Sequence, residues 1–169
     1  MSSTRSRLAL RGTGEMFVLE TIDLLSITRE LVAAGPLGDR PQFRIESGAT
    51  PIRVVANRAQ LNRALGNLLD NAAKYTPPDR EIVVRVSTER IDDKGWAVFE
   101  IEDHGIGIPA ADLPYVFDRQ RRGANAAQIP GEGIGLASVR RFVDHEGGSV
   151  QANSVEGQGS TFTIRLPQS

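Results

Sequence analysis

Asn67, Asn71 and Lys74 fall on one side of the stretch Leu61 to Tyr75, LNRALGNLLDNAAKY, when it is wound as a helix at about 100° per residue. Leu61, Leu65, Leu68, Leu69 and Ala72 fall on the other side. Two carboxamides and an amine thus gather in one patch whose use must be explained by the rest of the chain; a solvated helix face is the plain alternative. Asparagine is a poor helix former because its amide competes for backbone hydrogen bonds. Two of them four residues apart in a Leu/Ala helix therefore carry a local cost that asks for a use.

Three further stretches carry chemistry. Asp103 ends an apolar run and opens DHGIGIP, so its carboxylate would emerge from a sheet beside Gly105 and Gly107. A carboxylate there accepts from an amino group such as that of adenine, and glycines without Cβ admit a flat ring to the backbone; a plain Asp-Gly turn is the alternative. GEGIGLAS, from Gly131 to Ser138, leads into a helix whose first N–H groups and positive end can hold phosphate without a basic residue. Its spacing is neither G-x-x-x-x-G-K-[ST] nor G-x-G-x-x-G. Between the two, VFDRQRRG sets Arg119, Arg121 and Arg122 on a segment where arginines could swing onto a triphosphate or simply meet solvent. Each signal is weak alone, but in this order they supply the separate parts of one Mg-nucleotide site.

The 169 residues suit one compact domain, and 40% hydrophobic with 24% charged residues is the composition of a packed globule. Twenty basic against 21 acidic side chains leave a net charge of −1. That supplies no broad positive field for duplex nucleic acid, so no nucleic-acid partner is expected. The lack of cysteine removes disulfides, thiolate zinc sites and thiol catalysis together. No apolar run approaches the roughly 20 residues of a membrane span, and no charged-then-apolar signal opens the chain. A cytoplasmic location without direct membrane contact is expected.

The elements that would position these residues follow from period and punctuation. Residues 1–14 carry Arg5, Arg7 and Arg11 but no acid, and read as a linker ahead of one domain over 15–169. Phe17 to Ala33 is amphipathic, and its central part reads as a helix stopped by Gly35, Pro36 and Gly38. PQFRIES and the pair Val54, Val55 read as short strands, and Asn57 as the N-cap of the Leu61 to Tyr75 helix, which Pro77 and Pro78 end. Glu81 to Thr88 and Trp96 to Glu102 alternate on either side of the turn Asp92-Asp93-Lys94-Gly95 and predict a hairpin. A loop-rich region from Gly105 to Gly133 holds one short helical turn near Leu113 to Phe117. Leu136, Val139 and Val143 restore a helix ended by Gly147-Gly148, and SVQANS and STFTIRLP read as final strands. The sum is an α/β (α+β) two-layer sandwich, with helices on one face of a mostly antiparallel mixed sheet.

NLLDNAAKY, DHGIGIP, VFDRQRR and GEGIGLASV resemble, in order, the N box, first glycine box, F box and second glycine box of the catalytic ATP-binding domain of bacterial sensor histidine kinases. These belong to the superfamily of gyrase, heat-shock chaperone, histidine kinase and MutL-type ATPases. The resemblance covers about Phe17 to Pro167 and implies a Bergerat-type ATP-binding fold with a mobile ATP lid, and ATP and Mg2+ as cofactors. By resemblance Asn71 would ligate Mg2+ through its amide oxygen, with Asn67 one turn earlier on the same catalytic face. Lys74 would contact phosphate, Tyr75 would lie against the nucleotide, and Asp103 would bind the adenine amino group, with Thr161 holding that edge through water. Gly105, Gly107 and Ile108 of the first glycine box and Gly131, Gly133, Gly135 and Leu136 of the second would complete the nucleotide site. One of Arg119 and Arg122 on the lid would reach the γ-phosphate.

Water-hydrolysing members of the superfamily, and the anti-sigma-factor serine kinases, usually carry a Glu general base where this chain has Asn67, which cannot take a proton. That suits transfer to an acceptor needing little base help, such as a neutral imidazole. The chain's own two histidines, His104 and His145, lie in contexts unlike a His-Glu-x-x-x-Pro acceptor motif. The resemblance therefore implies a protein-histidine kinase whose acceptor sits on a separate dimerisation domain, with a response regulator downstream and a fragment that is monomeric on its own. A transfer-deficient nucleotide-binding docking module and an anti-sigma serine kinase are the alternatives. Two departures from the family pattern stand out: Gln120 replaces the second aromatic of the F box, and Asn57 replaces a frequent Asp, a change expected only to alter a helix cap.

Overall fold

In the computed structural model, residues 7–10, 16–34, 42–48, 51–118 and 135–169 are described. Period-two alternation builds the main layer. Strands β5 (Glu81–Ile91) and β6 (Lys94–Asp103) form the expected hairpin, flanked by β3 (Gln42–Ser47), β7 (Ser149–Val155) and β8 (Gly159–Pro167) in the order β3-β5-β6-β8-β7. Only the β3–β5 pairing in this sheet is parallel. Its register sets Phe99 opposite Val86 and Ile164, and Ile101 opposite Val84 and Phe162, so the apolar residues of three strands share one face.

That face is covered by α1 (Leu24–Ala34), α2 (Arg58–Tyr75) and α3 (Gly135–His145), whose Leu25, Ile27, Leu61, Leu65, Leu68, Val139 and Val143 join the strand residues in one core. Burial of these side chains, worth roughly 1.5–3 kcal/mol each before entropy is counted, is what drives the two layers together. The other face carries a charged cluster. Arg85 reaches Glu46, Glu100 and Glu102 at 3.0, 2.9 and 2.7 Å, pinning the parallel edge strand β3, and these carboxylates hold the guanidinium well above its ordinary pKa. No helix among the described residues is long and apolar enough to cross a membrane.

A second sheet, β1 (Arg7–Leu10), β2 (Met16–Asp23) and β4 (Arg53–Ala56), adds two strands on the N-terminal side of the helix expected within Phe17 to Ala33. Arg7–Leu10, inside the segment read as a linker, pairs antiparallel with β2. The segment beginning at Phe17 is a strand, and helix starts only at Leu24. The cause is Asp23, which ends β2 and caps α1: its Oδ1 accepts from Leu25 N and from Ile52 N, both at 3.2 Å, while its Oδ2 accepts from the Ser26 hydroxyl at 2.9 Å. An Asp capping signal was present in the sequence and is strengthened here by a long-range donor.

Asn57 caps α2 as expected, its Oδ1 accepting from Gln60 N at 3.0 Å. It does more than cap, because its Nδ2 donates to the Val18 carbonyl at 3.1 Å and ties the long helix to β2. An Asp at this position would keep the cap but set an acceptor against that carbonyl. Asn57→Ala is expected to lower stability by about 1 kcal/mol in urea unfolding, and Asn57→Asp to recover only part of the loss despite its better match to the helix dipole.

Candidate nucleotide site

Asp103 is the last residue of β6, on the core-facing side of the strand, and only 6% exposed. Its register partner is Ser160, and the Ser160 N–H donates to Oδ1 at 3.2 Å while the Gly105 N–H donates to the same oxygen at 3.0 Å. Both bonds fall on Oδ1 and leave Oδ2 to a ligand's donor. Burial pushes the carboxyl pKa up, against the two backbone bonds that favour the charged form.

The loop after Asp103 is held against the rest of the domain by its own backbone. The Ile106 N–H donates to the Tyr75 carbonyl at 3.3 Å, and a Cβ at Gly105 would stand 2.1 Å from that same oxygen. Gly107 has φ of +69°, and a Cβ there would meet the Val155 carbonyl at 2.2 Å. The Gly157 N–H donates to the Ile106 carbonyl at 2.7 Å, and the Ile108 N–H donates to the Ser154 hydroxyl at 2.8 Å. The expectation was that these glycines admit a flat ring. The structure gives them a different use, since the space without Cβ is filled by the domain's own carbonyls.

Through Tyr75 the last turns of α2 are fixed beside Asp103. Tyr75 and Asn71 are half-buried, Lys74 is exposed, and Asn67, a further turn back, is half-buried. The α2 stripe and the carboxylate thus belong to one frame. Ile108 is half-buried against the core, as is Leu136, next to the first helical residue Gly135 of α3. Phe117 packs edge-on against Phe162, with ring centroids 6.2 Å apart, and anchors the start of the F-box segment. Arg119, Arg122, Gly131 and Gly133 lie outside the described residues.

One site residue is corrected. Thr161 pairs with Glu102, and both project from the face of the sheet that carries the charged cluster, away from Asp103. The hydroxyl beside the carboxylate is that of Ser160, 8% exposed. Alternation contained the signal: Phe162 faces the core, so Ser160, two residues earlier, shares its face.

The donor set fits an adenine edge, with a buried carboxylate keeping one oxygen open beside a hydroxyl. Among the described residues no three His, Cys, Asp or Glu side chains gather as a metal site. An amide oxygen such as that of Asn71 still suits Mg2+, which takes few protein ligands and is completed by phosphates and water.

The model of the histidine kinase-, DNA gyrase B-, and HSP90-like ATPase family matches residues 56–169, and the chain belongs to this family. Among its relatives, the signal transduction histidine-protein kinase/phosphatase MprB of Mycobacterium avium is 37% identical over 132 residues, 76% of this chain and 25% of that protein. The sensor histidine kinase Hik2 of Synechocystis sp. is 39% identical over 123 residues, 67% of this chain and 28% of that protein. A solved structure of a mycobacterial sensor histidine kinase MprB matches with a TM-score of 0.71 at 31% identity, over 88% of this chain and 97% of the other. The chain spans about a quarter of the length of these curated relatives. Its fold is that of the catalytic ATP-binding domain of a sensor histidine kinase.

Asp103→Asn would keep an oxygen for both backbone donors while replacing a buried charge by a neutral amide. A carboxyl whose pKa is raised on folding holds its proton longer folded than unfolded, so stability falls as pH rises from the ordinary 3.8 through the raised value. Above that window the charge costs stability, and below it the cost is gone. The variant is therefore expected to melt higher than the wild type near neutrality, with the gap closing in acid, in thermal melts between about pH 4 and 7.

Proposed function

We propose that this domain binds Mg-ATP with the adenine amino group on Oδ2 of Asp103 and the phosphates along the Asn71 and Lys74 face of α2. We further propose that it donates the γ-phosphoryl group to a histidine on the dimerisation and phosphotransfer domain of its parent kinase. The observation that carries this is the half-filled buried carboxylate of Asp103, joined through the Tyr75 carbonyl to the polar stripe of α2. A response regulator would take the phosphoryl group onward. The names of the relatives support this setting, and the domain would work on the cytoplasmic side, monomeric when isolated.

Asp103 orients the base, and the Tyr75 side chain lies against it. Asn71 would offer one hard oxygen to Mg2+, which when bound would offset the charge of the phosphates. Lys74 offers an exposed ammonium to phosphate oxygens, and Arg119 or Arg122 and the backbone of Gly131, Gly133 and Gly135 would join it. Asn67 cannot abstract a proton, so the residues of this site position and neutralise while the acceptor supplies its own nucleophilic nitrogen.

ATP radiolabelled at the γ-phosphate, incubated with a chain that carries this domain and its dimerisation domain, is expected to give an acid-labile, base-stable phosphohistidine. Asn71→Ala is expected to lower the rate by about 100-fold or more, the scale for losing one preorganised charge-stabilising ligand. A wild-type chain that binds ATP yet gives no such product would instead be a nucleotide-binding docking module.

A further inference from the structure

The hydroxyls of Ser154 and Ser160 have two protons between them, and their neighbours dictate where both go. Ser154 Oγ lies 2.8 Å from the Gly159 carbonyl, which carries no proton, so Ser154 donates there. It lies 2.8 Å from the Ile108 N–H, which can only donate, so Ser154 accepts there. Its third contact is Ser160 Oγ, also at 2.8 Å. With the Ser154 proton already committed, Ser160 must be the donor in that pair. Ser154 then makes one donated and two accepted bonds, the full complement of a hydroxyl. The two serines are register partners on β7 and β8, on the core-facing side of the sheet that also carries Asp103.

We propose that Ser154 is a positioning residue for base specificity: by taking the Ser160 proton, it leaves the pocket edge formed by Ser160 Oγ and Asp103 Oδ2 able only to accept. This rests on the reading of Asp103 as the base-binding carboxylate. The amino group of a 6-amino purine presents N–H donors to such an edge. A 6-oxo purine sets the lone pairs of its O6 where the amino group's N–H donors would stand, against that edge. An unrestrained serine would rotate and donate to the oxo group, which is how many hydroxyls serve either partner. Ser154 removes that freedom, and discrimination comes from leaving the wrong base with an unpaired acceptor.

Ser154 also anchors Ile108, so its loss could loosen the loop for any nucleotide. The informative quantity is therefore a ratio. ATP and inosine triphosphate, its 6-oxo analogue, are titrated calorimetrically into the wild-type chain, Ser154→Ala, Ser160→Ala, the double variant and Ser154→Thr. The wild type is expected to prefer ATP, and Ser154→Ala to narrow the ATP to inosine triphosphate preference by about tenfold, the scale of one hydrogen bond. Ser154→Thr, which keeps the hydroxyl, is expected to retain the preference. In the Ser160→Ala background, Ser154→Ala is expected to leave the ratio unchanged, because its effect on the base passes through Ser160. Equal weakening of both nucleotides by Ser154→Ala would overturn the proposal, leaving only the loop anchor. A wild-type chain indifferent between the two nucleotides would overturn the base-site reading along with it.

Discussion

The nucleotide end of this domain hangs on one oxygen atom. Asp103 Oδ1 takes an N–H from the loop that follows its own strand and another from β8, joining three pieces of backbone at the point where the sheet ends. A buried carboxylate is expensive to desolvate, and two backbone donors on one oxygen offset part of that cost while leaving the other oxygen uncommitted. The arrangement stabilises the loop and at the same time keeps an acceptor in reserve, which is the chemistry a purine amino group needs.

The second constraint is the closeness of the Gly105 backbone to the Tyr75 carbonyl, which only a residue without Cβ allows. It fixes the last turn of α2 to the Asp103 loop. The polar stripe of α2 then takes its place through helical period alone, because Leu61, Leu65 and Leu68 commit the other side of the helix to the core. The Asp103 carboxylate and the polar stripe of α2 are positioned by two different kinds of secondary structure, yet one carbonyl sets the relation between them.

Much of this was legible in the residues. The α2 helix with its cap, the β5–β6 hairpin and the two final strands follow from strong periodicity and clear punctuation, and the open carboxylate stands where DHGIGIP puts it. The N-terminal strands were not legible, because the short run from Phe17 to Asp23 fits either period and is decided by pairing with β4, some thirty residues away in sequence. Arg7–Leu10 is a strand only through its partner β2. At the site, the hydroxyl was placed one residue late, at Thr161, and a slip of one residue in a strand moves a side chain to the opposite face. The glycines of the first box were found, but their reason, the approach of the domain's own carbonyls, is a tertiary fact.

On the proposed function, Asp103 and Asn71 would serve the two ends of a single bound nucleotide. The direct measurement is calorimetric titration of a non-hydrolysable ATP analogue, with and without Mg2+, into the wild-type domain and Asn71→Ala. The wild type should bind more tightly with Mg2+, and the variant should bind with its Mg2+-free affinity under both conditions, equal to that of the wild type without the metal. An undiminished Mg2+ effect in Asn71→Ala would contradict the placement of the metal and phosphates on this face of α2.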